Sequence, residues 1–308
     1  MNERRPTYQG RSLPRPDDEL VDQGLAFDVG TLLSRRRVLT VLGLGAVTAG
    51  LAACGTGSGT TTSEGEIPDE TAGPYPGDGS NGPNVLSESG IVRSDIRSSF
   101  GTGSATAAGV PTTLELTITD LANGGTPFAG TAVYVWHCDR DGDYSMYSSG
   151  LESENYLRGV QIADDAGTVR FTSVFPACYE GRWPHVHFEV YPDQASITDA
   201  SNAIATSQLA LPQDACEAVY ATDGYQASPA KLARLTLQTD GIFGDDGGAS
   251  QLATVTGDVS SGYTVALTAA VDTRTEPSGG DMGGGPGGGA PPEGGPGGGG
   301  PGAPPSGG

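Results

Sequence analysis

The sequence is poor in the residue types that many binding functions draw on. It holds a single lysine, Lys231, and 16 basic residues against 37 acidic ones, for a net charge of -21. Seven of the basic residues precede Cys54, so the rest of the chain is more acidic still. Phosphate binding rests on Lys and Arg clusters, which argues against nucleic acid as a partner. Electrostatic docking to anionic lipid is disfavoured for the same reason, and the acidity reads as a solubility feature. The longest apolar run, Val38 to Ala53, has 16 residues, short of the roughly 20 that a membrane span needs. Four cysteines without a Cys-x-x-Cys pair give no support for a structural zinc site. No segment keeps an apolar 3.6-residue period for long, which excludes a helical domain.

What is present divides the chain. Ser34-Arg35-Arg36-Arg37-Val38-Leu39 carries a twin arginine ahead of the apolar run, which ends in Leu51-Ala52-Ala53-Cys54. A basic region, a short apolar core and a small-residue site make an export signal. The arginine pair points to the route that carries folded proteins. The closing tetrapeptide resembles a bacterial lipobox, with Cys54 as the lipidated new N-terminus. Residues 1–53 are therefore expected to be a twin-arginine export signal and 54–66 a tether. Residues 276–308, almost all Gly and Pro, cannot bury a core and form a tail. Residues 67–275 suit one domain. With Cys54 lipidated, Cys138, Cys178 and Cys216 are expected to supply one disulfide and one spare thiol, Cys178–Cys216 being favoured over Cys138–Cys178.

Within the domain, Leu114, Leu116 and Ile118 alternate with Glu115 and Thr117, the mark of a half-buried strand. Further strands are expected at 131–137, 168–174, 185–191, 235–237, 252–255 and 263–271, with short helices at 214–220 and 229–233. Many short strands between Gly, Asp, Pro and Ser turns predict an all-β fold, a sandwich or barrel.

The stretch Thr131 to Tyr191 holds all three histidines and both tryptophans. On a strand, side chains repeat every second residue, so His185 and His187 project from one face, roughly 6–7 Å apart at the backbone, and can reach one ion. Apolar Val186, Phe188 and Val190 would pack the other side. Tyr144 and Tyr179 end neighbouring turns. Phenolate is a hard anion whose unperturbed pKa is near 10; a strongly polarising cation is needed to form it at neutral pH, which favours Fe(III) over zinc or magnesium. Asp139-x-Asp141-Gly142-Asp143 hints at a calcium loop, but its glycine is misplaced and no bidentate glutamate follows. His137 sits at the end of a different strand and is read as structural, Tyr147 and Tyr156 as packing.

Together these segments resemble a known family. Trp136-His137-x4-Gly142-x-Tyr144, Leu157-Arg158-Gly159-x-Gln161-x5-Gly167, Pro176-x2-Tyr179 and Arg182-x2-His185-x-His187 are similar to the motifs of the intradiol ring-cleavage dioxygenases, the catechol and protocatechuate dioxygenases. Thr71-Ala72-Gly73-Pro74-Tyr75 looks like the family's N-terminal signature. The resemblance implies a β-sandwich of the intradiol type, with short helices and long loops, and a non-haem Fe(III) held by Tyr144, Tyr179, His185 and His187. Tyr179 would be the ligand that leaves when substrate binds. Arg182 would steady negative charge on the substrate ring, and Gln208 and Tyr75 would line its pocket. The implied reaction cleaves a catechol with O2 to a muconate-type dicarboxylate. The helical dimerisation segment of catechol dioxygenases is missing, and the export signals point to an extracytoplasmic member, either secreted or held at the outer face of the membrane only through Cys54. Two rivals stand beside this reading: a sandwich that binds ligand without catalysis, and a zinc-dependent protein using His185 and His187.

Overall fold

The computed structural model describes residues 7–8, 11–12 and 64–277. The expected export signal, Cys54 and the chain from 278 onward lie outside the described residues, apart from one short antiparallel pair, β1 (Thr7–Tyr8) with β2 (Arg11–Ser12). That pair belongs to a first unit, 1–59; everything below concerns the second, 60–308.

Two sheets make the second unit. The first contains β3 (Pro111–Asp120), β4 (Thr126–Pro127), β7 (Thr168–Val174), β10 (Thr254–Asp258) and β11 (Gly262–Val271). β3 is its centre: β11 runs parallel along one edge, while β7 and β4 pair antiparallel along the other. The second sheet is antiparallel throughout, in the order β6 (Arg158–Ile162), β5 (Ala132–Trp136), β8 (His185–Tyr191) and β9 (Ala205–Ala210). Two short helices follow, α1 (Gln213–Tyr220) and α2 (Ser228–Leu232). No helix among the described residues is long and apolar enough to cross a membrane.

The predicted alternation in β3 is real: Leu114, Leu116 and Ile118 are buried against Val133, Val135, Val186, Phe188 and Val190 of the second sheet, forming the core between the layers. The opposite face of the second sheet is also covered. There Ala132, Tyr134, Trp136 and Tyr191 pack with Val85, Leu86 and Ile91 from the lead-in before β3. All seven residues of β8 are consequently buried. The His185/His187 face is thus part of an enclosed aromatic layer. First and last residues of the domain meet: the Ile67 amide donates to the Ala270 carbonyl, and Thr275 Oγ1 donates to Glu66.

Three expectations are corrected. Residues 235–237 are not a strand; a 3-10 turn covers Leu237–Thr239, closed by Thr236, whose hydroxyl accepts from the Thr239 amide. The strand expected at 252–255 begins later, at Thr254. The cysteines form no disulfide: Cys138, Cys178 and Cys216 are free and buried. Two of the thiols point at backbone carbonyls instead, Cys138 at Ala177 and Cys178 at Arg182.

Candidate metal and substrate site

Register places the first part of the site. Trp136 on β5 lies opposite Arg158 on β6 and His187 on β8, and His187 lies opposite Gln208 on β9. Directly opposed residues share a face, so Arg158, Trp136, His187 and Gln208 form one row across the second sheet. His185 projects from the same face two residues earlier. The Trp136 indole stacks on the His187 imidazole, centroids 4.8 Å apart and planes within 9°.

Two loops bring the phenols. The first is folded by Asp139: its Oδ1 accepts from the amides of Asp141, Gly142 and Asp143, and its Oδ2 from the Tyr156 hydroxyl. The acidic loop is therefore a self-capped turn. Gly142 takes a φ of +96°, and a Cβ there would approach Tyr179 Cβ to 3.3 Å, so glycine lets the two loops meet. Tyr144 follows, its amide donating to Ser148 Oγ. Arg158, buried, reinforces this arrangement by donating to Ser145 Oγ, to the Ser145, Tyr75 and Pro76 carbonyls and to the Tyr134 hydroxyl. The second loop, between β7 and β8, carries Tyr179 and Arg182.

The four predicted ligands converge. Tyr144 Oη is 3.5 Å from Tyr179 Oη, Tyr179 Oη is 3.1 Å from His185 Nε2, and His185 Nε2 is 3.1 Å from His187 Nε2. Tyr144, His185 and His187 are buried; Tyr179 is half-buried. Burial sets the protonation. It pushes the Tyr144 hydroxyl well up and Tyr179 up to about 12. It pushes both imidazoles down, with Arg182 adding to the effect. Nδ1 of His185 lies 2.5 Å from the Trp183 carbonyl, so that nitrogen carries the hydrogen and Nε2 offers its lone pair.

Such a set fits a cation. Two imidazoles and two phenols converge here with one another as partners, and a small, highly charged cation would deprotonate the phenols and take up the converging lone pairs. Among the described residues no group of three His, Cys, Asp or Glu could hold a metal, so a site here depends on the tyrosines. His137 stands apart, its Nε2 on Ser173 Oγ and its Nδ1 on the Cys138 carbonyl.

The pocket residues also gather here. One Arg182 Nη donates to Gln208 Oε1 at 2.6 Å, and Gln208 Nε2 donates to the Thr71 carbonyl. Gly73, at φ +75°, lies beside the His187 ring: a Cβ there would sit 3.4 Å from His187 Cε1, in ordinary contact. The Tyr75 ring lies 4.9 Å from that of Tyr144 and 5.3 Å from that of Tyr147. Tyr147 has a polar anchor as well as packing: its hydroxyl donates to Asn81 Oδ1 and accepts from the Gly77 amide. Sequence reasoning missed Asp240, which pairs with Arg182 at 3.0 Å, and the clamp made by Arg158. The Leu157-Arg158-Gly159 motif was a signal for the latter.

A dioxygenase family model matches residues 82–198, the segment that carries all four tyrosine and histidine positions. Chlorocatechol 1,2-dioxygenase of Rhodococcus opacus is 39% identical over 56 residues, 18% of this chain and 22% of that protein. The chain thus spans about a fifth of the length of this curated relative. The intradiol ring-cleavage dioxygenase of Tetranychus urticae shares the fold, with a TM-score of 0.54 at 22% identity over 68% of this chain and 95% of that one. The motifs, the matched segment and the two-sheet fold are all similar to those of the intradiol ring-cleavage dioxygenases.

Proposed function

We propose that the chain is a non-haem Fe(III) intradiol dioxygenase, with Tyr144, Tyr179, His185 and His187 as ligands, that cleaves catechol-type rings with O2 to muconate-type dicarboxylates. The observation that carries this reading is the run of donor atoms from Tyr144 Oη to His187 Nε2, each 3.1–3.5 Å from the next. Two phenolates balance two of three positive charges, which suits a ferric ion in a buried site better than zinc or magnesium.

When bound, the ferric ion supplies a Lewis acid and one-electron acceptor for the catecholate and O2. The protein's share follows from its own geometry. Tyr179 is the most exposed of the four donors, so it is the one free to move aside, and its Oη then takes up a catechol proton. His185 stays neutral because its Nδ1 is tied to the Trp183 carbonyl. The Arg182 guanidinium supplies fixed positive charge where the ring becomes electron-rich, steadied by Gln208. Tyr75 against Tyr144 walls the lead-in side and excludes water there.

Export by the twin-arginine route and anchoring through Cys54 complete the proposal. They are supported by the sequence before residue 55, and three buried free thiols suit a domain that folds in a reducing compartment before transport. An oxygen-uptake screen of the iron-loaded protein over substituted catechols tests the activity. Stoichiometric uptake with a ring-opened dicarboxylate product supports it; no uptake with any catechol sinks it.

A further inference from the structure

Asp240 lies 58 positions beyond Arg182 and outside the matched family segment. Its side chain is fully buried, whereas that of Arg182 is 17% exposed. Each carboxylate oxygen accepts two hydrogens. Oδ2 takes Arg182 Nε at 3.0 Å and the Trp183 amide at 2.7 Å. Oδ1 takes the amides of Ile242 and Phe243, at 2.8 and 3.1 Å. The turn so formed also sets the Phe243 ring, whose centroid lies 5.9 Å from the Arg182 Cζ and 6.5 Å from the His185 ring centroid.

From this geometry we infer that Asp240 is a positioning residue for the proposed ring-cleavage site, fixing the direction in which Arg182 presents its guanidinium to the substrate. The inference rests on the function proposed above. Arg182 has four rotatable bonds that orient its planar head, and a lone arginine would sample many directions. Here two edges of the head are taken: Nε by Asp240 and one Nη by Gln208. The backbone is held too, because the Trp183 amide binds the same carboxylate that grips the side chain before it. An exposed ion pair contributes little; a buried carboxylate with all its acceptor capacity used gives a single geometry. Burial works against the charged form, yet Arg182 and the peptide N–H donors hold the Asp240 carboxyl below its usual range.

Asparagine cannot substitute. All four partners are donors, so either amide orientation turns an NH2 group against two of them. The test uses the iron-loaded protein and compares wild type, Asp240→Asn, Arg182→Gln and the double variant, with catechol as substrate. Asp240→Asn is expected to lower kcat/KM about a hundredfold, the scale of an ångström-level misplacement, with iron content and visible colour retained. The double variant is expected to be no slower than Arg182→Gln alone, because Asp240 acts through Arg182. Wild-type turnover by Asp240→Asn overturns the inference. So does a double variant slower by the product of the two single losses, or loss of iron in Asp240→Asn. If that single variant is insoluble, comparing Arg182→Gln with the double variant still decides, since neither the buried charge nor its partner remains in the latter. An inactive, colourless wild type defeats the function reading itself, a result distinct from an active wild type matched by Asp240→Asn.

Discussion

The Trp136 indole lies flat against the His187 imidazole, 4.8 Å between centroids, on strands that register places side by side. The stack fixes the ring plane of a proposed ligand whose Nδ1 has no hydrogen-bond partner. Trp136→Leu should therefore act twice. It should cost about 3 kcal/mol of stability as a large-to-small change in a full core, read by chemical denaturation. It should also weaken iron binding about tenfold, the usual scale for residues that orient a ligand, read by chelator competition. Unchanged iron affinity would mean that His187 is oriented by the backbone alone.

Tyr147 and Tyr179 make a controlled pair, both tyrosines near the site with different partners. Tyr179→Phe removes a proposed ligand and should shift or bleach the visible colour and abolish ring cleavage. Tyr147→Phe breaks only the bonds to Asn81 and Gly77; it should cost about 1 kcal/mol and leave colour and turnover in place. Absorption spectra and oxygen uptake of the two variants separate the roles.

Much of this was legible in the sequence because the chemistry sits on short, regular patterns. His185 and His187 are two apart on a strand, Tyr144 closes a glycine-bearing turn, and Tyr179 lies six residues before His185. What stayed hidden depends on the third dimension. β9 is buried on both faces, so its Ala-Thr-Ser-Gln-Leu-Ala run shows no alternation to find. Nothing at Asp240 announces a partner 58 residues away. The stretch 235–237 has strand-like residues, but the Thr236 hydroxyl closes a local turn first. The disulfide expectation failed because it took cysteine pairing from the predicted compartment, while the fold buries each thiol in its own packing.

Glu70 links the site's rim to pH. Burial, with Asp245 nearby, raises its carboxyl from 4.5 to about 7, while the bond from Gln251 works the other way. An acid raised on folding holds its proton more tightly in the folded chain. Between its unfolded value and about 7 the folded state therefore binds more protons, and stability falls as pH rises. The contribution is favourable to folding at the acid end of that window and is lost by its upper end. Glu70→Gln should remove this slope: the melting temperature of the variant, relative to wild type, should rise from pH 4.5 to 7 and then level off. Parallel melting curves across the window would show that Glu70 titrates normally.

The three cysteines give a plain chemical check. Alkylation of the unreduced, denatured protein followed by peptide mass mapping should modify Cys138, Cys178 and Cys216 alike, while the native protein protects all three because they are buried. A disulfide-linked Cys178–Cys216 peptide would contradict the fold described here.

The central claim is that two phenols and two imidazoles share one ferric ion. Its most direct measurement is the visible spectrum of the purified, iron-quantified protein, before and after anaerobic catechol. About one iron per chain, with a broad tyrosinate charge-transfer band that shifts when catechol binds, is the predicted result. A colourless protein that stays colourless when loaded with ferric iron would contradict it.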